Sequence, residues 1–238
     1  MRIDFILSLL FPKRCIGCRK IGSYICVKCV HSIHHKTSLK CSACERPALL
    51  GLTHPLCQKH TSLDGVFSFF QYDGVVKKAI KQIKYRYVYD CITTVLATIP
   101  NSTLNNIESI CNSSFEISNC IIVPIPLHAS RLRFRGFNQA EKIADLLGKK
   151  LHIPVRNDIL IRTKNTVPQV SMKSREARIQ NMSQVFSINT YCVLHIAYRD
   201  MSVILVDDVF TTGATLRAAA DVLKKHGVKK VFAITLAQ

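Results

Sequence analysis

Short apolar runs along the chain predict buried strands. Most of them end at proline, glycine or polar residues, which terminate strands. The runs are GVFSFFQY at 65–72, CIIVPIPL at 120–127, SVILVDD at 202–208 and VKKVFAITLA at 228–237.

Between these runs, apolar residues recur at helical spacing. After Gly74, Val76, Ile80 and Ile83 lie on one side of a predicted helix, and lysines lie on the other. Segments 136–151 and 213–227 are also amphipathic. Strands that alternate with helices predict an α/β fold, in which helices cover both faces of a parallel sheet. The Asn- and Ser-rich segment Pro100–Asn119 predicts a surface loop or irregular insertion instead.

Composition adds a constraint on partners. The 238 residues carry a formal net charge of +18, from 33 Lys and Arg against 15 Asp and Glu. A hydrophobic fraction of 48% is ample for a core and excludes global disorder. The charge indicates an anionic partner, which is a nucleic acid, a phosphorylated small molecule or a membrane surface.

The first residues, MRIDFILSLLF, bear on location. Their apolar run contains Asp4 and is far shorter than the ~20 residues that span a bilayer. No small-residue cleavage site precedes Cys15. We expect a short amphipathic helix packed on the rest of the chain, and a cytoplasmic protein.

Cysteines cluster in the first 60 positions at a repeated spacing. Two thiolates in a CxxC turn point at one tetrahedral ion, which predicts structural zinc. A disulfide framework belongs to oxidising compartments, and a thioredoxin-like motif needs one pair in a βαβ context. Two Zn²⁺ ions are predicted, with sequential or cross-braced pairing left open. The predicted ligands are Cys15, Cys18, Cys26, Cys29, Cys41, Cys44, Cys57 and His60.

The stretch VILVDDVFTTGAT at 203–215 carries the clearest chemistry. Ligands of parallel α/β sheets bind at the carboxyl ends of strands, where Asp207 and Asp208 follow four apolar residues. The following turn leads into a helix N-terminus, whose N–H groups bind phosphate. Its members are Thr211, Thr212, Gly213, Ala214 and Thr215. The carboxylates would then accept hydrogen bonds from sugar hydroxyls or help hold Mg²⁺.

This stretch resembles the binding loop for phosphoribosyl pyrophosphate (PRPP) in type I phosphoribosyltransferases. The resemblance implies that PRPP binds with Mg²⁺, with its 5′-phosphate on Thr211–Thr215 and its ribose hydroxyls on the two aspartates. In this superfamily the pyrophosphate loop follows a strand like VPIPL. Arg131, Arg133 and Arg135 are therefore the expected pyrophosphate ligands.

Further motifs resemble the ComF family of competence proteins. They are RLRFRGFNQA at 131–140, RTKNTVPQV at 162–170 and SREARIQNMSQVF at 174–186, together with the cysteine pairs. The resemblance implies a double zinc ribbon with a short N-terminal helix over 1–64 and a phosphoribosyltransferase-like domain over 65–238. His60 stands where a fourth cysteine is usual. Arg162, Gln169, Arg178 and Asn181 match motif positions that close over the ligand.

Two functions follow from the resemblance. One is a role in natural transformation, in which the protein binds PRPP and single-stranded DNA and works with other DNA-uptake proteins. The alternative is an active phosphoribosyltransferase in nucleobase or nucleotide salvage, with an acceptor base that the sequence does not identify. Basic charge and zinc ribbons suit single-strand binding. The chain contains no Trp, however, and its sequence displays no obvious aromatic stacking platform.

Overall fold

A four-stranded parallel sheet forms the centre of this computed structural model, which describes residues 12–86, 89–114, 119–165, 185–189 and 201–238. The predicted N-terminal helix lies outside these ranges. The strands have the order β1-β6-β5-β2. They are β1 (Gly65–Phe70), β2 (Cys120–Pro124), β5 (Ser202–Val209) and β6 (Lys230–Ala237). All three pairings are parallel, so the predicted α/β fold is confirmed.

Helices cover both faces of the sheet. They are α1 (Val27–His31), α2 (Gly74–Arg86), α3 (Tyr89–Ala97), α4 (Asn101–Ser114), α5 (Ala129–Arg135), α6 (Gln139–Leu151) and α7 (Ala214–Lys225). Alternate residues of β5 enter different core clusters because successive side chains point to opposite faces. Ile204 packs with α2, α3 and α6, whereas Leu205 packs with α7.

The prediction of a loop over Pro100–Asn119 is wrong. Helix α4 occupies most of that segment, and Leu104 and Ile107 are buried in the core one helical turn apart. The backbone N–H groups of Thr103 and Leu104 bond to the carbonyl of Pro100, which starts the helix. Tertiary burial of these two apolar residues outweighs the low helix propensity of the surrounding Asn and Ser.

A short pair of antiparallel strands, which we call the hairpin, was absent from the sequence prediction. It consists of β3 (Leu160–Arg162) and β4 (Phe186–Ile188), with Arg162 opposite Phe186. Leu160, Phe186 and Ile188 are buried in the same cluster as α7. The hairpin therefore lies over the sheet and places Arg162 near its carboxyl edge.

Residues 12–64 pack along the outer edge of β1. His35 bridges to Phe70 and Leu52 bridges to Gly65, both antiparallel. Ile33 belongs to the core cluster that also contains Phe67. These contacts cover a strand edge that would otherwise be open to other chains. Within the described part of the chain, no helix has the length and apolar character needed to cross a membrane.

Candidate functional site

The carboxyl end of β5 forms one side of the candidate site. Asp207 is half-buried, and Asp208 is only 7% exposed. The Asp208 N–H donates to Asp207 Oδ1 at 2.8 Å, which orients that carboxylate. Both predicted acidic residues thus lie at the sheet edge where ligands of parallel sheets bind.

The turn after β5 leads directly into α7. Gly213 is the residue before the helix and has a φ of +69°, in the left-handed region. Thr212 Oγ1 accepts a hydrogen bond of 3.4 Å from the Ala214 N–H. The first N–H groups of a helix lack intrahelical acceptors, so residues 211–215 present the donors that a phosphate requires. We call these residues the phosphate loop.

Gly213 is also constrained by its surroundings. A Cβ atom there would lie 2.5 Å from the Phe210 ring and 2.8 Å from Arg217 Nη1. A glycine in a turn of this kind permits close approach of the backbone to an anion. The structure adds a reason within the protein, because its own side chains already fill the space.

The carboxyl end of β2 supplies the opposite side of the site. Pro124 pairs with Val206, and the Ile125 N–H donates to the Val206 carbonyl at 2.9 Å. The chain then enters α5, which ends at Gly136 with a φ of 76°. Asn138 caps α6 and donates to the Ile125 carbonyl at 3.0 Å, which ties the start of α6 to the residue that follows β2.

The three predicted pyrophosphate ligands on α5 are not equivalent. Arg131 and Arg135 are four residues apart, so they share a helix face, and both are partly buried. Arg135 donates to Gln139 Oε1 at 3.2 Å. Arg133 lies on another face and is exposed, as are its neighbours Leu132 (41%) and Phe134 (80%).

Arg162 brings the hairpin into the same site. Burial, together with the nearby Arg131, lowers the pKa of Arg162 to about 10, although Asp207 opposes the change. The guanidinium remains charged at neutral pH, and it lies 5.4 Å from the centre of the Phe186 ring. Side chains of β5, α5 and β3 therefore interact electrostatically at one edge. Gln169, Arg178 and Asn181 lie outside the described residues.

Four cysteines form a group that could hold a metal ion, which we call the first metal-binding group. They are Cys15, Cys18, Cys26 and Cys29, whose sulfur atoms lie within 4.8 Å of one another. The Sγ atoms of Cys18 and Cys26 are 3.6 Å apart. Sulfurs that share a tetrahedral zinc ion with bonds of about 2.3 Å are about 3.8 Å apart, so the set fits Zn²⁺. The ligand pairs combine sequentially, which answers the pairing question that the sequence left open.

The second metal-binding group corrects the sequence prediction. It contains Cys41, Cys44 and Cys57, with His54 in the place predicted for His60. His54 Nδ1 lies 3.3 Å from Cys44 Sγ, and its Nε2 lies 3.1 Å from the Pro47 carbonyl. Metal-ligating histidines are commonly oriented by such a second hydrogen bond. Both histidines are three positions from Cys57, so spacing alone did not discriminate between them.

The buried thiols of the first group differ in how readily they ionise. Burial disfavours the Cys15 thiolate, but backbone N–H groups outweigh it and lower the pKa to about 6. Burial and the neighbouring thiols raise the pKa of Cys29 to about 12. Four adjacent thiolates repel one another, and a divalent cation is what permits all of them to ionise.

Comparison with known proteins identifies the part of the chain around the site. The phosphoribosyl transferase domain model matches residues 104–238. Competence protein F of Haemophilus influenzae is 37% identical over 110 residues, which are 46% of this chain and 46% of that protein. Competence protein ComFC of Bacillus subtilis is 26% identical over 213 residues, which are 85% of this chain and 79% of that protein.

A third relative has a different name. The DNA utilization protein YhgH of Escherichia coli K12 is 31% identical over 110 residues, which are 46% of this chain and 45% of that protein. The chain thus matches less than half of the length of YhgH and less than half of the length of Competence protein F. The resemblance to competence proteins is confirmed by these similarities.

Proposed function

This chain belongs to the phosphoribosyl transferase domain family, and from that premise we propose that it binds PRPP with Mg²⁺ in a role in DNA uptake. The observation that carries the proposal is the edge formed by β5, α5 and the hairpin. It combines a phosphate loop, two carboxylates and partly buried cationic side chains. Two of the relatives are named competence proteins, and a third is named for DNA utilization.

Each part of PRPP has a matching group at this edge. The 5′-phosphate is assigned to the backbone N–H groups of the phosphate loop. Asp207 and Asp208 accept hydrogen bonds from the ribose hydroxyls. Arg131 and Arg162 offset the charge of the pyrophosphate. Carboxylate oxygens are ligands that Mg²⁺ accepts, so the donor set fits that ion, which would neutralise part of the pyrophosphate charge.

Calorimetric titration with PRPP and Mg²⁺ tests this assignment. We expect the double variant Asp207→Ala, Asp208→Ala to lose about a hundredfold or more in affinity, since each hydrogen bond to a charged group contributes about 1.5–3 kcal/mol. Thr212→Val should lose less, because backbone donors remain. A folded double variant that binds PRPP as tightly as wild type would disprove the ribose assignment.

A second candidate activity is phosphoribosyl transfer to a base. In that reaction the bond from ribose C1 to an acceptor nitrogen forms, the bond from C1 to pyrophosphate oxygen breaks, pyrophosphate leaves, and the acceptor nitrogen loses its proton to solvent. The observation in its favour is that Arg131 and Arg162 carry positive charge where the leaving group would lie. Release of pyrophosphate from PRPP in the presence of a panel of nucleobases tests it. Release that depends on one base and on Arg131 supports transfer, and no release with any base rejects it for that panel.

We also assign single-stranded DNA binding to the outer face of α5. Phe134 is 80% exposed, and the exposed Arg133 precedes it in a chain whose net charge is +18. Nucleobases stack on exposed aromatic rings, while arginines contact the phosphates between them. One exposed aromatic ring beside an exposed arginine is the observation that supports this assignment.

The absence of tryptophan makes this surface directly measurable. Phe134→Trp would introduce the single tryptophan of the chain, and its fluorescence should be quenched when poly-dT stacks on it. Leu56→Trp is the matched control, because Leu56 is fully exposed and lies beside Cys57 of the second metal-binding group. If fluorescence is quenched at position 56 and not at position 134, the DNA binds near the second metal-binding group, and the α5 assignment is refuted.

Salt dependence separates the two contacts. Phe134→Ala should weaken binding by about tenfold or more at every salt concentration, since a stacked base contributes about 1–3 kcal/mol. Arg133→Gln should instead reduce the slope of log K against log salt by about 0.7, which is the expectation for one lost phosphate contact. Unchanged affinity and slope in both variants would exclude this surface.

A further inference from the structure

Arg217 joins the phosphate loop to the second metal-binding group. Its Nη1 donates to the Ser42 carbonyl at 2.9 Å, although the two residues are 175 positions apart. Its Nη2 donates to the Thr212 carbonyl. Ser42 lies between the ligands Cys41 and Cys44. One planar guanidinium therefore holds a carbonyl of the loop and a carbonyl within the metal-binding turn.

The Ser42 end of this connection is firmly placed. Ser42 Oγ lies 2.9 Å from Thr53 Oγ1, which donates to the Leu63 carbonyl at 2.7 Å. Ser42 and Thr53 are both buried, and each adjoins a metal ligand in sequence, Ser42 beside Cys41 and Thr53 beside His54. The position of the Ser42 carbonyl consequently depends on how the four ligands are held together.

A cavity of about 340 Å³ lies beside this connection, and Lys40, Glu45 and Thr211 lie in its wall. The phosphate loop and the segment with the second metal-binding group therefore both line this cavity. A Cβ at Gly213 would lie 2.8 Å from Arg217 Nη1, which shows how closely the guanidinium follows the loop.

We propose that Arg217 positions the phosphate loop from the second metal-binding group, so that a metal ion held by Cys41, Cys44, His54 and Cys57 strengthens PRPP binding. This inference rests on the proposed function. Holding the Thr212 carbonyl preorganises the N–H groups that receive the 5′-phosphate, and preorganisation lowers the cost of binding. The coupling is reciprocal, so bound PRPP should also raise the affinity of the protein for that metal ion by the same factor.

The chain offers a matched control for Arg217. Lys78, on α2, donates to the Gly17 carbonyl at 3.0 Å, and Gly17 lies between Cys15 and Cys18 of the first group. Arg217→Met and Lys78→Met therefore each remove a contact from a helix to a metal-binding turn. Only Arg217 also contacts the phosphate loop.

Three measurements on the full chain test the proposal: PRPP–Mg²⁺ affinity by calorimetry, metal content, and hydrogen exchange of residues 209–217. Arg217→Met should weaken PRPP binding by about tenfold or more and speed exchange while both metal ions are retained, since two hydrogen bonds of a charged group are lost. Lys78→Met should leave affinity and exchange unchanged. Arg217→Lys should recover part of the affinity, because the ammonium keeps the charge and can donate to a carbonyl but lacks the planar fork that holds both.

Loss of the metal ion itself should have the same effect. Cys44→Ser should release the second metal ion and weaken PRPP binding as Arg217→Met does, and the combined variant should lose no more than either alone. Wild-type affinity and exchange in Arg217→Met would overturn the coupling and leave PRPP binding intact. If wild type itself fails to bind PRPP, the proposed function fails. Unchanged hydrogen exchange of residues 209–217 in both Arg217→Met and Cys44→Ser would then also reject the structural coupling.

Discussion

Gly213 is the residue at which backbone conformation and crowding act together. Its φ is +69°, and an added Cβ would meet the Phe210 ring at 2.5 Å. We expect Gly213→Ala to lower the free energy of unfolding by about 1–3 kcal/mol and to weaken PRPP binding, because the loop must move to admit the methyl group. Chemical denaturation and calorimetry measure the two effects.

Substitution of Gly74 distinguishes the effect of backbone strain from the effect of side-chain crowding. It also has a positive φ, of +40°, but a Cβ there would meet nothing within 4 Å. Gly74→Ala should therefore be less destabilising than Gly213→Ala and should not change PRPP affinity. Equal losses in both variants would indicate that side-chain crowding at Gly213 is unimportant.

Substitution of His54 and substitution of His60 should have different effects on the metal content of the protein. The structure groups His54 with Cys41, Cys44 and Cys57. His54→Ala should lower bound zinc from about two equivalents toward one, whereas His60→Ala should leave it unchanged, because zinc needs the fourth ligand for a closed structural site. Elemental analysis of the purified variants decides between them, and the reverse pattern would restore the sequence-based ligand.

Single residues were predictable from sequence where the motif was continuous. Asp207, Asp208 and the phosphate loop are contiguous, so their place at a strand end followed from one apolar run. The choice between His54 and His60 was not predictable, since it depends on the turn in which the Cys57 N–H bonds to the His54 carbonyl at 2.8 Å. The approach of Arg162 to Asp207 depends on tertiary packing of the hairpin.

At the scale of elements, a buried ion pair holds the C-terminal end of α7 in place. Lys224 Nζ lies 2.7 Å from an Asp64 carboxylate oxygen, and the two side chains are 10% and 9% exposed. Lys224→Met should lower the free energy of unfolding by about 3 kcal/mol, because it leaves Asp64 buried with less compensation. Urea denaturation measures this loss.

Lys230 is a control for the ion pair between Lys224 and Asp64. It also contacts Asp64, at 3.3 Å, but its side chain is 41% exposed. Lys230→Met should cost less than about 1 kcal/mol, since solvent screens the interaction. If Lys230→Met proves as destabilising as Lys224→Met, burial is not what makes the first contact important.

Elements with clear periodicity were predicted correctly, and those without it were not. The four strands of the sheet and the amphipathic helices α2, α6 and α7 correspond to the predicted runs. Strands β3 and β4 have three residues each, which is too short for a periodic signal. Helix α4 was missed because its composition is polar and only its few buried residues pack on the core.

At the scale of the whole molecule, the metal-binding segment shares a core with the sheet. Cys15, Ile25 and Cys29 lie in the same apolar cluster as Phe67 and Ile80. We therefore expect one cooperative thermal transition for the zinc-bound protein, and a lower Tm after chelation, because metal binding contributes to folding. Two separate transitions in calorimetry would show that the segments unfold independently.

The strand order has a consequence for synthesis on the ribosome. Among the strands of the sheet, β1 is made first, yet its neighbour is β6, with Val66 paired to Ala233. The apolar residues of β1 must therefore wait for more than half of the chain to emerge before they acquire that neighbour, and nascent chains with unpaired strand edges are prone to aggregate. The cysteine-containing segment emerges earlier and bridges to both ends of β1, so it can protect the opposite edge of this strand while the rest of the protein is still being translated.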